Sequence, residues 1–241
     1  MTQARQTFIA DTADVVMRRK SDGHVVFTAE AQLAGITGGE ESQVVRGGIG
    51  NKALYTVKHS KEVTLSVRNA TFDLEYLSIS QGAKIETDGT GEITEYKRGV
   101  KVSEEGTVTL EHTPIGDVTV IYADGTKEKV EATGQEIELS QGMFGDTVSV
   151  EYKRKVTGRK FVLDATRFAE SYEVEYKTIE YTTDTNEHIR NIYFVFPNAT
   201  PTGEYEINLE NGEPFTPTLD FNVMTEANSN ELGYIIEEDV V

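Results

Sequence analysis

The chain has 241 residues, 37% of them hydrophobic, with 11 Tyr, 10 Phe, no Cys and no Trp. That is apolar material for one large β domain or two smaller ones, built without disulfides. The net charge is −18, divided as −1 over residues 1–98, −5 over 99–158 and −12 over 159–241; this argues against a tight grip on a nucleic-acid backbone, which needs clustered Lys and Arg.

In chain order, the opening MTQARQTFIA holds no apolar core of a signal peptide. No run has the length of a membrane-spanning helix. The expectation is a soluble protein made in the cytosol, with no membrane partner. The stretch VFTAEAQL then alternates, setting Phe27, Ala29, Ala31 and Leu33 against Thr28, Glu30 and Gln32. Farther on, EVTLSVR sets Val63, Leu65 and Val67 against Glu62, Thr64, Ser66 and Arg68. Strict alternation predicts strands with one buried and one wet face.

Between these strands lies GITGGEESQVVRGGIGNK, residues 35–52, with Gly35, Gly38, Gly39, Gly47, Gly48 and Gly50. It does not qualify as a phosphate loop, because no Gly-Lys-Ser/Thr follows and no helix opens after it. It is read as a long, flexible connection between paired strands. The next segment, NATFDLEYLSISQG, predicts one helix over 71–81, with Asn69 or Thr71 as N-cap, Asp73 and Glu75 in the first turn and Gly82 past the end. Phe72, Tyr76 and Ile79 form its apolar stripe. Asp22-Gly23, Asp88-Gly89, Asp124-Gly125 and Asn211-Gly212 are read as turns.

Residues 99–158 have their own rhythm, with strands expected near 107–110, 118–122, 129–132, 137–139 and 147–152. They are read as a small inserted β-sandwich closed by Lys153, Arg154 and Lys155, with the host domain over 1–98 and 159–241. A second short helical piece is expected near 165–170. The tail alternates again in YEVEY, YEINL and LDFNV. The fold class is therefore all-β with one helix.

Candidate chemistry is sparse. His24, His59, His112 and His188 stand far apart without metal-ligand spacing. No GxSxG elbow occurs. No catalytic, cofactor-binding or metal residues are assigned, no cofactor is expected, and the chain is not read as an enzyme.

The series FTAEAQLAGITGGEE, VVRGGIGNKALY and VTLSVRNATFDLEYLSISQG, the β insert GTVTLEHTPIGDVTVIYADG with GDTVSVEYK, and the tail IYFVFPNATPTGEYEINLENG with FNVMTEANSNELGYIIEED resemble the major tail (tail tube) proteins of tailed bacteriophages. The likeness covers most of the chain. It implies a β-sandwich or barrel-like tail tube fold with one flanking helix, plus an inserted Ig-like β domain on the outside. It implies a structural virion protein that forms hexameric rings, stacked into a tube beside other tail proteins, with genomic DNA passing through the lumen without specific binding. An arm built from Gly38, Gly39, Arg46, Gly47, Gly48 and Gly50 would reach a neighbouring subunit. Residues 24–34 and 53–68 would be the lumen-side strands, and Glu30, Glu62, Glu173 and Glu175 would line an acidic lumen. The alternative reading is an Ig-like capsid-decoration or adhesin-type binding protein.

Overall fold

A computed structural model describes residues 6–240, apart from the side chains of Thr28 and Ala29, so the two-faced reading of those positions lies outside the described residues. In chain order the elements are β1 (Thr7–Phe8), β2 (Asp14–Arg19), β3 (Val25–Gly47), β4 (Lys52–Asn69), helix α1 (Leu74–Gln81), β5 (Ile85–Lys101), β6 (Thr107–Thr109), β7 (Ile115–Ile121), β8 (Lys127–Val130), β9 (Ala132–Thr133), β10 (Glu136–Glu138), β11 (Thr147–Phe161), β12 (Tyr172–Thr182), β13 (His188–Pro201), β14 (Thr218–Val223) and β15 (Tyr234–Asp239). The fold is all-β with one short helix. The chain divides into two compact units, a host (Met1–Ile85 with Phe161–Val241) and an insert (Glu86–Lys160).

In the host, β12 pairs with β2, β2 with β3, β3 with β4, β4 with β14, β14 with β13, and β13 returns to β12, every pairing antiparallel. Six strands therefore close into a barrel, which removes the free edges an open sheet would present. The closure works because β13 divides its outer side: Ala199, Thr200 and Pro201 pair with β14, while 190–195 pair with β15. β1 attaches in the same way to the far end of β12.

Alternation decides what fills the barrel. Val15 and Met17, Leu65 and Val67, Val174 and Tyr176, and Leu219, Phe221 and Val223 all turn inward and are buried. Each such side chain contributes roughly 1.5–3 kcal/mol on leaving water. Helix α1 covers this core with Tyr76, Leu77 and Ile79. It is shorter than expected. Its N-cap is Asp73, whose carboxylate accepts from Glu75 N at 3.0 Å. Asn69 spends its side chain on Thr71 N instead, and Phe72 precedes the helix half-exposed, outside the stripe. The end is as expected: Gly82 sits at φ 68°, and a Cβ there would stand 2.0 Å from the carbonyl oxygen of Phe168, so only glycine fits.

Several other expectations are corrected. Residues 165–170 form no helix: 165–166 are a turn, where Asp164 accepts from both Thr166 N and Thr166 Oγ1, and 167–170 have no regular structure. Asp88-Gly89 runs inside β5, which pairs with β11; Gly89 is not at positive φ, and a Cβ on it would stand 2.3 Å from Lys160 Cβ. YEINL lies in no strand.

The insert holds a four-stranded sheet ordered β5-β11-β7-β8 and a three-stranded sheet ordered β6-β10-β9. They enclose a separate core that includes Val102, Val108, Val118, Val120, Ile137 and Val150. This compact unit spans Glu86–Lys160, and β5 runs unbroken from Ile85 to Lys101.

Candidate assembly surface

The expected flexible connection at 35–52 is a hairpin. Sixteen paired positions link β3 to β4, from Ala31↔Asn69 to Gly47↔Lys52. Gly38, Gly39, Arg46 and Gly47 are strand residues; Gly48 and Gly50, both at positive φ, make the turn with Ile49 and Asn51. The glycines do not prevent pairing: Gly38 stands opposite Val63, and between the glycines the pairs Gln43↔Val57, Val44↔Thr56 and Val45↔Tyr55 supply β-forming side chains. Gly47 also has a packing reason: Leu54 Cδ1 lies 3.0 Å from where its Cβ would be.

β14 pairs with β4 only from Val63 onward, and β2 pairs with β3 only up to Glu30. Residues 39–62 therefore leave the barrel as a two-stranded arm, on the order of 30 Å long at about 3.3 Å per residue. Both faces are open: Val44, Leu54, Tyr55 and Val57 are exposed, and Ile49 at the tip is 99% exposed. Residues 42–61 carry Arg46, Lys52, Lys58 and Lys61 and no Asp or Glu. Lys58 is answered by Glu40 at 2.5 Å. The arm was detectable in the sequence as two β-rich runs, QVV and LYTV, flanking a Gly-rich turn.

Three of the four acidic candidates fall on outward positions of the barrel strands. Asp14 stands opposite both Glu30 and Lys177, which puts Glu30, Glu173 and Glu175 on one continuous face of β3, β2 and β12. Glu62 lies at the root of the arm, opposite Gly39. They are not equivalent. One Arg18 nitrogen donates to Glu173 at 2.7 Å and to Glu175 at 3.3 Å, and these bonds, Glu173 first, raise the Arg18 pKa above its ordinary value. Glu30 and Glu62 have no such ion pair among the described residues.

A second open surface is β15, which uses one side to pair with β13. Arg190 ties the two strands, reaching Asp239 at 2.8 Å, Glu237 at 3.4 Å and the buried Glu180 at 3.3 Å. Tyr234, Ile235 and Ile236 remain exposed on it.

Within the insert, ligand atoms of Glu95, Glu111 and His112 lie within 4.8 Å of one another. Arg154 already pairs with Glu95 and Lys97 with Glu111. The carboxylates are thus neutralised by side chains, and the arrangement is an ion-pair cluster. No helix among the described residues is long and apolar enough to cross a membrane.

The YomU/Tube protein family model matches residues 7–237, nearly the whole chain. The tail tube protein of Bacillus phage SPR is 39% identical over 96% of this chain and 89% of its own length. The SPbeta prophage-derived uncharacterized protein YomU of Bacillus subtilis (strain 168) is 32% identical over 64% of this chain and 58% of its own length. A match of this extent, on a closed β barrel with an exposed arm, means that the chain belongs to the YomU/Tube protein family.

Proposed function

We propose that this protein builds the tube of a phage tail. Six copies close a ring, rings stack beside other tail proteins, and genomic DNA passes through the lumen without specific binding. The protein is made in the host cytoplasm and resides in the virion. The host barrel supplies the ring. The insert, read as an Ig-like decoration, stays outside, where the cations of Lys153, Arg154 and Lys155 do not face DNA. Glu30 and Glu62 are the carboxylates best suited to a repulsive wall, since neither is paired with Arg18 as Glu173 and Glu175 are.

The observation that carries this reading is the arm of residues 39–62. A two-stranded ribbon is marginal in water by itself, and this one exposes Val44, Ile49, Leu54, Tyr55 and Val57. Apolar side chains on a wet ribbon with unpaired outer edges call for a partner strand or surface. Membership of a family with a relative named tail tube protein points to further copies of the chain as that partner.

Negative-stain imaging of the concentrated protein tests the reading. Rings or tubes with a central hole are the expected result. A species that stays monomeric or trimeric at every concentration would replace the tube with a decoration role.

A further inference from the structure

We infer that residues 202–217, the connection from β13 to β14, receive the arm of a second copy. The inference rests on the reading of the arm as an element shared between copies, and it names the surface the arm meets.

The connection is long for one without regular structure, and such segments in compact domains are usually functional. Tyr205, Ile207 and Leu209 alternate with Glu206, Asn208 and Glu210, yet no strand pairs with them among the described residues. The segment is held in place from one side. Ser80 Oγ donates to the Glu204 carbonyl at 3.3 Å, Gln81 Nε2 donates to the Gly203 carbonyl at 2.6 Å, and the Tyr76 hydroxyl meets the main chain of Glu206. The segment so held lines a groove of about 810 Å³ together with Tyr76 and Asp220. Leu209, in the same segment, is 82% exposed. A stretch of main chain with apolar alternation and no strand partner has the features of a strand-addition site.

Charge selects the occupant. Residues 202–217 carry Glu204, Glu206, Glu210 and Glu213 and no Lys or Arg, and Asp220 joins them in the groove wall. The partner should be an exposed ribbon with cations and an apolar tip. The distal arm, residues 42–61, has four cations, no carboxylate and Ile49 almost fully exposed. Opposite charges on two such surfaces favour encounter and register. Docking also covers cations that would otherwise hold DNA in an acidic tube.

A charge swap provides the test. Four proteins are compared: wild type, a groove variant (Glu210→Lys with Glu213→Lys), an arm variant (Arg46→Glu with Lys52→Glu), and the combination of all four changes. All sites are exposed, and circular dichroism verifies the fold. Each half-swapped protein should need about tenfold more protein to sediment as polymer, and the combination should recover most of that loss. A combination no better than the worse half overturns the inference, as do half-swaps that polymerise like wild type. An arm variant that polymerises normally but retains less DNA on its tubes would assign those cations to DNA; the tube reading would then stand without this contact. The chain lacks Cys, so Ile49→Cys in one preparation and Leu209→Cys in another provide a second measurement that does not depend on tubes. The mixture should yield the hetero-disulfide in excess of either homodimer under mild oxidation. Its absence at polymerising concentration, or at the highest soluble concentration where wild type forms no polymer, overturns the contact.

Discussion

At the residue scale, Tyr176 shows how the barrel interior is filled and where it is imperfect. Its ring is 1% exposed and meets Phe196 edge-on at 6.3 Å, yet its hydroxyl has no hydrogen-bond partner among the described residues. Burial, reinforced by the nearby Asp220 carboxylate, pushes its pKa well above the ordinary tyrosine range. The sign follows from linkage. A raised folded pKa gives a contribution fully present below the ordinary value of about 10 and lost as the pH rises from there toward the folded value. Tyr176→Phe keeps the ring contact and removes an unsatisfied buried oxygen. The variant should be neutral or more stable by about 1 kcal/mol at pH 7, and should lose less stability than wild type above pH 10. Urea titrations at pH 7 and pH 10.5 measure both effects. A destabilisation beyond about 1 kcal/mol at pH 7 would mean that the hydroxyl has a partner. That Tyr176 is a core residue was legible in YEVEY, where it alternates with Glu173 and Glu175. That its oxygen is unpartnered was not, because β14 brings in Asp220 from far along the chain.

At the element scale, the barrel strands and the arm differ in how openly the sequence declares them. Strands with one dry face write a period of two into the chain, so the inward positions of β4, β12 and β14 could be read directly. The arm has two wet faces, so its apolar residues need not alternate with polar ones, and its glycines resemble those of a loop. YEINL is the converse case. Its alternation is real, but alternation reports which side is apolar and not whether a neighbouring strand exists, and none pairs with it within this chain. The helix was legible at Gly82, where backbone geometry demands glycine, and misplaced at its start, where Asn69, Thr71 and Asp73 are all plausible caps and only tertiary packing selects one. The arm's independence is testable. Val45→Pro together with Tyr55→Pro changes an opposed pair far from the barrel core. Proline removes ladder donors and fixes φ, so the distal ribbon should separate. The barrel should melt within about 2 °C of wild type, while polymer formation is lost. Retention of tubes would show that the arm is not the assembly element, and a large fall in melting temperature would show that it supports the barrel.

At the scale of the whole molecule, the two units have no core residue in common. The host cluster draws on residues before Ile85 and from Phe161 onward, and the insert cluster lies wholly within Glu86–Lys160. The insert's two ends lie near each other: Lys160 Nζ is 3.8 Å from Glu86 Oε2, and β5 and β11 are adjacent strands. A chain that leaves and re-enters at neighbouring points can be shortened there at little entropic cost, because closing a short loop adds only on the order of 1 kcal/mol. Joining Ile85 to Phe161 through Gly-Ser-Gly should therefore leave the closed barrel, helix α1 and the arm intact. The shortened protein should remain soluble, unfold in one transition near the wild-type host transition, and form tubes of smaller outer diameter with an unchanged central hole. A tube whose hole widens would put the insert on the inner wall and reverse the placement of its cations. Insoluble protein, or a monomer that no longer polymerises, would mean that the insert helps to hold the host or the ring together. Residues 86–160 expressed alone give the matching measurement: a unit this small, with one compact valine-rich core, should fold cooperatively but with low stability.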